Sequence, residues 1–382
     1  MNSFSFTIPQ NIVVGAGSLK RLPELAKNLK KSKAYIISGP HLEKIGMVDK
    51  CREALKAAGI ESDAFTQTEG NPSTDTVAKA AEGFKSSNAD FIVAFGGGSP
   101  LDVAKAVAVI ASYGGNITDY EGGGKVPGPV VPMIAIPTTA GTGSEVTAFS
   151  VITDHSRNYK LTVVSNYLLP AYAILDPELI TTVPKSTAAA CGIDAMVHAL
   201  EAFISKAASP FSDLFAKEAL RLIGTNIRDY VLDRSNLAAC EAMLTGSLFA
   251  GIAFSHARLG DVHAMSHPVS AYFDVAHGVA NAVLLPTIVD YNMTYASEKY
   301  KYIYDCICEK PLDDDSFTPE MLAAEIRVLN DELGIPSSLS EVGVDSSLFD
   351  KMADDAMKSG NILVNPRPTT KKDILALYAQ AF

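Results

Sequence analysis

The sequence lacks the features that mark membrane-bound and secreted proteins. No apolar run approaches the length of a membrane span, and the opening MNSFSFTIPQ contains neither the basic region nor the apolar segment of an export signal. The five cysteines are an odd number without the spacing of a disulfide framework, which is typical of a reducing compartment. We therefore expect a cytoplasmic protein without a membrane partner.

Positive charge is scarce relative to negative charge. The formal net charge is -11 at pH 7, which argues against nucleic acid or an anionic membrane as the main partner. The composition, 47% apolar and 20% charged, is typical of a folded protein rather than a disordered one. A length of 382 residues exceeds what one hydrophobic core usually supports, so two domains are expected.

The first half of the chain alternates apolar, strand-like runs with helical patterns. This alternation favours a parallel sheet covered by helices. The opening FTIPQNIVVG predicts an additional edge strand, where Pro9 is tolerated. Buried strands are expected at 33–38, 61–66, 90–96 and 131–137, and helices near 42–58, 74–88 and 100–113.

After about Pro184 the strand patterns nearly vanish, and a 3.6-residue periodicity filled with alanine and leucine replaces them. The sequence therefore predicts an α/β dinucleotide-binding domain over residues 1–184, with a Rossmann-like parallel sheet. An all-helical domain over residues 185–382 follows it, with a polar loop at 309–320 between two of its helices.

A glycine-rich turn follows the strand at 90–96. In FIVAFGGGSPLDVAKA the buried strand ends at Phe95, and three glycines lead directly into a helix. Ser99 suits the N-cap of that helix, and Asp102 suits the acid of a capping box. Residues without side chains at the carboxyl end of a strand let backbone N–H groups reach a phosphate. We therefore predict that this turn binds a pyrophosphate.

Three other stretches bear on the nucleotide site. GAGSLK (15–20) lacks the third glycine of a dinucleotide fingerprint and predicts a turn with Ser18 as a helix N-cap. GGGK (122–125) predicts a linker. IPTTAGTGSEVT (136–147) follows a buried strand, and its hydroxyls and small residues predict the second wall of a nucleotide cleft.

Histidine is also scarce in this sequence, and its distribution is uneven. Only seven histidines occur in the chain, yet His263, His267 and His277 fall within RLGDVHAMSHPVSAYFDVAHG. Asp194 and His198 lie four residues apart on a predicted helix and so project from one face. One carboxylate with imidazoles suits Fe(II) or Zn(II) better than Ca or Mg. Spacing alone leaves open which of the five candidates is not a ligand.

The motifs of the two halves together resemble those of the iron-dependent, or group III, alcohol dehydrogenases, which include lactaldehyde reductase and 1,3-propanediol dehydrogenase. The resemblance covers essentially the whole chain. It implies an N-terminal nucleotide-binding domain, a C-terminal helical domain and an active site in the cleft between them. The motifs are NPS (71–73), GGGSPLDVAKA, PTTAGTGSEVT, DPEL (176–179), GIDAMVHALEAF, VHAMSHP, HGVANAVLLP and NPR (365–367).

The resemblance also implies roles for individual residues. The metal, Fe²⁺ or alternatively Zn²⁺, would be held by Asp194, His198, His263 and His277. His267 would stand just outside the ligand set and handle a proton. NAD or NADP would lie across Gly97, Gly98 and Ser99, with the rest of its site formed by Gly39, Asn71, Asp102, Thr138, Thr139, Thr142, Lys160 and Leu179.

The implied reaction is reversible hydride transfer between the nicotinamide and a small primary alcohol, diol or aldehyde, in a homo-oligomer of two or more chains. Two alternatives remain open. A lyase or cyclase with the architecture of dehydroquinate synthase would use metal and NAD without net redox change. A non-catalytic protein would bind both and convert nothing. The sequence departs from the family at Gly39, where NAD-preferring relatives usually carry an aspartate, so tolerance of NADP is expected.

Overall fold

The computed structural model describes Phe6, Ile8 and residues 10–382. Pro9 in the expected first strand, and most of the opening segment assessed for an export signal, lie outside the described residues. The chain divides into two compact units. The α/β unit comprises Ile8–Thr139 and Gly143–Thr181, and the helical unit comprises chiefly Thr182–Phe382 with the short segment Ala140–Thr142. The amino-acid composition does not predict that Ala140–Thr142 groups with Thr182–Phe382 in the helical unit.

The described residues of the α/β unit form nine strands and five α-helices. The strands are β1 (Asn11–Val14), β2 (Lys33–Ile37), β3 (Glu61–Phe65), β4 (Phe91–Gly96), β5 (Gly122–Gly123), β6 (Met133–Pro137), β7 (Phe149–Asp154), β8 (Tyr159–Val164) and β9 (Tyr172–Leu175). The helices are α1 (Leu22–Asn28), α2 (Pro40–Lys44), α3 (Met47–Ala57), α4 (Thr74–Ser87) and α5 (Gly98–Tyr113).

A six-stranded sheet forms the centre of this unit. Its order is β1-β9-β6-β4-β2-β3, and every neighbouring pair is parallel. The central strands β4 and β6 consist entirely of buried residues, as expected for apolar runs covered by helices on both faces. The predicted parallel α/β architecture of the first half is confirmed.

The strand at 61–66 was expected to be buried, and this prediction is wrong. β3 pairs only with β2 at the edge of the sheet, and its Glu61 and Asp63 are exposed. At an edge, one side of the backbone faces solvent, and alternating acidic residues are compatible with that position. The helix expected at 42–58 is two helices, α2 and α3, because Gly46 between them adopts a left-handed conformation with φ of +76°.

A second sheet was missed in the sequence. Its order is β5-β8-β7, with β7 and β8 antiparallel. Gly122 and Gly123, expected to be part of a linker, pair with the end of β8. The prediction of Ser18 as an N-cap is also wrong: Gly17 holds that position, and the Ser18 hydroxyl donates to the carbonyl of Leu175.

Eight α-helices make up the described part of the helical unit, in agreement with the predicted all-helical second half. Helix α6 packs against α7, α8 and α10, and α10 packs against α9, α11 and α13. The loop expected at 309–320 corresponds to residues 308–319 between α10 and α11. The helices are α6 (Lys185–Ile204), α7 (Pro210–Leu232), α8 (Leu237–Ala257), α9 (Asp261–Phe273), α10 (His277–Ile307), α11 (Glu320–Leu333), α12 (Phe349–Lys358) and α13 (Lys371–Ala381).

Two of these helices, α6 and α8, are long and apolar enough to cross a membrane by length and composition alone. The expectation that no apolar run approaches such a length is therefore wrong. Of the apolar windows in these helices, 89% and 67% are buried inside the structure. A helix that is apolar on all sides is typical of a buried core position, so packing within the helical unit accounts for this composition.

Candidate metal centre and nucleotide-binding edge

The strand order of the parallel sheet places two of the predicted cofactor residues, Gly39 and Gly97, at the carboxyl ends of neighbouring strands. From β2 the chain passes outward to β3 and then returns to place β4 on the other side of β2. Open parallel sheets bind ligands outside the carboxyl ends of their strands at such a reversal of strand order. Gly39 follows β2, and Gly97 follows β4, so both lie at this point of the sheet.

The turn from β4 into α5 depends on glycine at two positions. Gly96 has a φ of +155°, and a Cβ atom there would lie 2.6 Å from Cγ of Pro100. A Cβ atom on Gly97 would lie 3.1 Å from Oγ1 of Thr139. The absence of side chains therefore lets this turn approach the hydroxyl-rich segment that follows β6.

Helix α5 begins earlier than the sequence predicts. Its N-cap is Gly97, with no side-chain cap, and its first residue is Gly98. Ser99 thus lies in the first turn, and its prediction as N-cap is wrong, because the chain enters the helical conformation two residues sooner. The uncapped N–H groups at the start of this 16-residue helix suit an anionic phosphate.

The remaining predicted cofactor residues occupy several elements. The backbone N–H of Thr138 donates to the carbonyl of Gly96 over 2.9 Å. Nζ of Lys160, on β8, donates to Oδ1 of Asn71 over 2.8 Å. Leu179 is buried in a short 3-10 helix, Pro177–Ile180, that follows β9. Thr142 belongs to the short segment that groups with the helical unit.

Asp102 does not act as a capping-box acid. Its carboxylate oxygens accept hydrogen bonds from Oγ of Ser144, over 2.7 Å, and from the N–H of Val151, over 3.1 Å. Burial raises the pKa of this carboxyl, and the nearby Lys105 counteracts the rise. Asp102 thus connects the start of α5 both to the segment after β6 and to β7.

Lys105 is a buried residue that the sequence analysis missed. Its Nζ donates to Oγ of Ser144, Oγ1 of Thr147 and the carbonyl of Phe149 over 2.7–3.0 Å. Burial lowers the pKa of Lys105 to about 8, while Asp102 opposes that change. A lysine in the otherwise apolar stretch after Asp102 is the one sequence signal that could have indicated a buried polar network.

In the helical unit, the predicted metal ligands gather around Oδ1 of Asp194. The Nε2 atoms of His198, His263 and His277 lie 4.0, 3.8 and 3.9 Å from this oxygen. Ligand atoms of Asp194, His263 and His277 all lie within 4.8 Å of one another, as a shared metal ion would require. The structure therefore brings together residues from three separate helices.

Local geometry explains this meeting. Asp194 and His198 lie one turn apart on α6, His263 lies in the first turn of α9, and His277 is the first residue of α10. A Cβ atom on Gly278 would overlap the carbonyl oxygen of Ala190 and lie 2.7 Å from its carbon. Glycine at this position therefore allows α10 to start directly against α6.

Outer hydrogen bonds fix the orientation of two imidazoles. Nδ1 of His198 lies 3.3 Å from the carbonyl of Gly141, and Nδ1 of His263 lies 2.6 Å from Oε2 of Glu201. Since both partners accept, each Nδ1 carries the hydrogen, and each Nε2 keeps its lone pair for the centre of the cluster. Burial, together with the nearby His198, holds the pKa of His263 well below its usual value, which favours the neutral ring.

Two side chains that the sequence analysis missed complete the cluster. Asn281 is fully buried, and its Nδ2 lies 2.6 Å from Oδ1 of Asp194 and 3.2 Å from Nε2 of both His263 and His277. Glu201 is 2% exposed, and burial raises its pKa to about 7. Helical spacing could have indicated both, because Asn281 lies four residues after His277 and Glu201 three after His198.

His267 stands beside the cluster. Its ring stacks on that of His277 with a centroid distance of 5.3 Å, and its centroid lies 6.2 Å from that of His263. It is half-buried, whereas His263 is fully buried. Neither His267 nor His198 belongs to the group of mutually close ligand atoms formed by Asp194, His263 and His277. Nε2 of His198 nevertheless lies 4.0 Å from Oδ1 of Asp194.

The α/β unit thus has the architecture of a dinucleotide-binding enzyme, and the helical unit has a cluster of one carboxylate and three imidazoles. The sequence-family model of the iron-containing alcohol dehydrogenases matches residues 9–177. The family model of the C-terminal part of the Fe-containing alcohol dehydrogenases matches residues 188–382. The chain belongs to the iron-containing alcohol dehydrogenase family. It is an oxidoreductase acting on alcohols, as the sequence motifs predicted.

Named relatives extend this similarity over the full length. The chain is 39% identical to 1,3-propanediol dehydrogenase of Citrobacter freundii and 34% identical to NAD-dependent methanol dehydrogenase of Bacillus methanolicus, with 99% of each chain covered. A crystal structure of a 1,3-propanediol oxidoreductase superposes with a TM-score of 0.95 at 38% identity and 100% coverage of both chains. The prediction of an iron-type enzyme that uses a nicotinamide cofactor is confirmed.

The close approach at Gly278 leads to a testable expectation. Gly278→Ala should push the start of α10 away from α6, destabilise the fold by about 1–3 kcal/mol through overpacking, and weaken metal binding because His277 moves with the helix. Denaturant unfolding and the metal content of the purified protein measure the two effects.

Gly224→Ala is the matched control for this substitution. Its Cβ would overlap the carbonyl oxygen of Cys306 and lie 2.7 Å from the carbonyl carbon, at the other end of α10. We expect a similar loss of stability with unchanged metal content. Normal metal binding by the Gly278→Ala protein would contradict the role given to this contact.

Proposed function

We propose that the chain is a metal-dependent, NAD(P)-linked alcohol dehydrogenase and aldehyde reductase for small primary alcohols, diols and aldehydes. Asp194, His198, His263 and His277 hold the metal in this proposal. The observation that carries it is the convergence of three acceptor atoms, Oδ1 of Asp194 and Nε2 of two histidines, on a single amide nitrogen of Asn281. The names of the relatives support the substrate class.

The donor set fits a borderline divalent ion. One carboxylate oxygen with neutral imidazole nitrogens suits Fe(II) or Zn(II), whereas Ca and Mg prefer all-oxygen sites. The Nδ2 atom of Asn281 is a hydrogen-bond donor with partial positive charge, and several lone pairs face it. Fe²⁺ is favoured by family membership, with Zn²⁺ as an alternative occupant.

In this proposal, residues of the chain orient the nicotinamide cofactor and transfer a proton during hydride transfer. When bound, the metal ion would supply a Lewis acid for the substrate oxygen, and the nicotinamide would supply the hydride donor or acceptor. Gly97, Gly98 and Ser99 orient the cofactor by offering the N–H groups of α5 to its pyrophosphate. We assign His267 as the catalytic residue that moves the proton of the hydroxyl group.

The supporting cofactor contacts are proposed at Asn71, Asp102, Thr138, Thr139, Thr142, Lys160 and Leu179. We further propose a cytoplasmic homo-oligomer of two or more chains without a nucleic-acid or membrane partner. The net charge of -11 supports the absence of nucleic acid. The five cysteines, all in the described part of the chain, form no disulfide, in keeping with a reducing compartment.

Metal removal provides the direct test. Purified protein is expected to carry about one divalent ion per chain, because the four proposed ligands form one site, and to lose aldehyde-dependent NADH oxidation after chelation. Elemental analysis and a panel of short aldehydes and diols, assayed before and after Fe(II) or Zn(II) reconstitution, measure both. Full activity in a verifiably metal-free sample would contradict the proposal. Product formation without net change in nicotinamide absorbance would instead indicate a dehydroquinate synthase-like lyase or cyclase.

Alanine substitutions separate His267 from the ligands. His263→Ala or His277→Ala should empty the metal site. His267→Ala should keep the metal and lower turnover by roughly 10²–10⁴-fold, the usual contribution of a positioned proton-transfer group. His155→Ala, an exposed histidine between β7 and β8, is the control and should change neither quantity. Loss of metal from His267→Ala comparable to that from His263→Ala would show that the ligands are assigned wrongly.

The environment of Gly39 generates a cofactor prediction. No carboxylate is present on this residue to accept a bond from the ribose 2′-hydroxyl or to repel a 2′-phosphate. Glu69, one acid that could replace it because its neighbour Thr68 lies against Gly39, already accepts bonds from the N–H of Ser73 and Oγ1 of Thr76 over 2.6–2.9 Å. The kcat/KM values for NADH and NADPH with one aldehyde should therefore lie within about a hundredfold.

Gly39→Asp is the matched variant for this prediction. It should lower kcat/KM for NADPH far more than for NADH, because the new carboxylate repels only the additional phosphate. A strong preference of the unaltered protein for NADH, well beyond a hundredfold, would mean that another acidic group performs the missing function.

A further inference from the structure

The fully buried Glu201 lies directly behind one of the proposed metal ligands. Its Oε2 lies 2.6 Å from Nδ1 of His263, and its Oε1 accepts the N–H of Val262 over 2.7 Å. Both Glu201 and His263 have side chains that are 2% exposed, so water does not compete for this contact. We propose that Glu201 is a positioning residue that fixes the tautomer and ring orientation of His263 for metal binding. This inference rests on the proposed ligand set.

The neighbourhood of Glu201 is built to receive a carboxylate. A Cβ atom on Gly260 would lie 2.9 Å from Oε1 of Glu201 and 2.9 Å from Oδ1 of Asn365, so only glycine leaves both oxygens in place. The carboxylate lies against the first N–H groups of α9, where the helix dipole favours a negative group. One side chain thus contacts both the backbone of the first turn of α9 and the imidazole that this turn carries.

The hydrogen-bond pattern determines which nitrogen of His263 faces the cluster. A carboxylate oxygen accepts, so Nδ1 carries the hydrogen and the lone pair resides on Nε2, 3.8 Å from Oδ1 of Asp194. Carboxylates that hold a ligating histidine in this way typically contribute 10–100-fold to metal affinity. The spacing of Asp194, His198 and Glu201 on α6 therefore combines two ligands and the support of a third on one helix.

Glu201→Gln reverses this pattern at constant size. The amide oxygen can accept from only one of the two N–H groups, and if it keeps Val262, the amide nitrogen faces Nδ1 of His263. Nδ1 then accepts, and the hydrogen moves to Nε2, which can no longer bind a metal. We expect about 10–100-fold weaker Zn(II) or Co(II) binding in chelator competition with metal-stripped protein. In nitrogen-15 spectra the ring of His263 should change from the Nδ1–H to the Nε2–H form.

A purely structural role would give a different result. The matched control is Asp261→Asn, since Asp261 is also buried at the start of α9 but bonds to Oγ1 of Thr369 rather than to a ligand. It should lower stability without changing metal affinity or the tautomer of His263. Unchanged affinity and tautomer in a folded Glu201→Gln protein would overturn the inference and leave Glu201 as a helix cap only.

Two further variants keep the test decisive. If Glu201→Gln does not fold, Glu201→Asp retains the charge but shortens the reach to His263, and it should weaken metal binding at least about tenfold. Binding equal to that of the unaltered protein would overturn the inference. His263→Ala tests the ligand set itself: retained metal in this variant contradicts the proposed function, whereas lost metal with normal binding by the Glu201 variants contradicts only the role of Glu201.

Discussion

The buried carboxylate of Asp194 is the constraint around which the helical unit is organised. It is 3% exposed, and imidazole nitrogens from three histidines lie within 4.0 Å of one of its oxygens. Removing such groups from water is costly unless their polar atoms find partners. The outward nitrogens of His198 and His263 have acceptors, so the inward atoms are left as a concentrated set of lone pairs. The helices that converge here must therefore maintain their spacing closely.

Helical spacing and motifs made part of this site predictable. The separation of Asp194 and His198 by four residues was sufficient to place them on one face of a helix. Glu201 and Asn281 also had suitable spacing, but a glutamate or asparagine on a helix has many ordinary roles. Their function depends on which face of α6 meets α9 and α10. That choice is set by non-local contacts, among them the approach of Gly278 to Ala190, which periodicity does not reveal.

The α/β unit shows the same limit. The apolar runs of β4 and β6 predicted central strands correctly, whereas the polar β3 and the β7–β8 hairpin have weaker patterns. The hydroxyl-rich segment after β6 was recognised as a candidate wall of the nucleotide site. The hydrogen bonds that attach this segment to α5 were not predicted, because the buried amine of Lys105 contacts acceptors some forty residues further along the chain. The partners of a buried charge can be identified only once the fold is known.

The acidic edge strand β3 has a consequence for how these molecules behave in concentrated solution. An exposed sheet edge offers unpaired backbone groups that can template association with another chain. Glu61 and Asp63 project from this edge, and Lys33 on the neighbouring strand pairs with Asp63 over 2.8 Å. A second β3 edge approaching in register would bring like charges together, which is unfavourable. The same residues that obscured this strand in the sequence thus protect the folded protein against edge-to-edge aggregation.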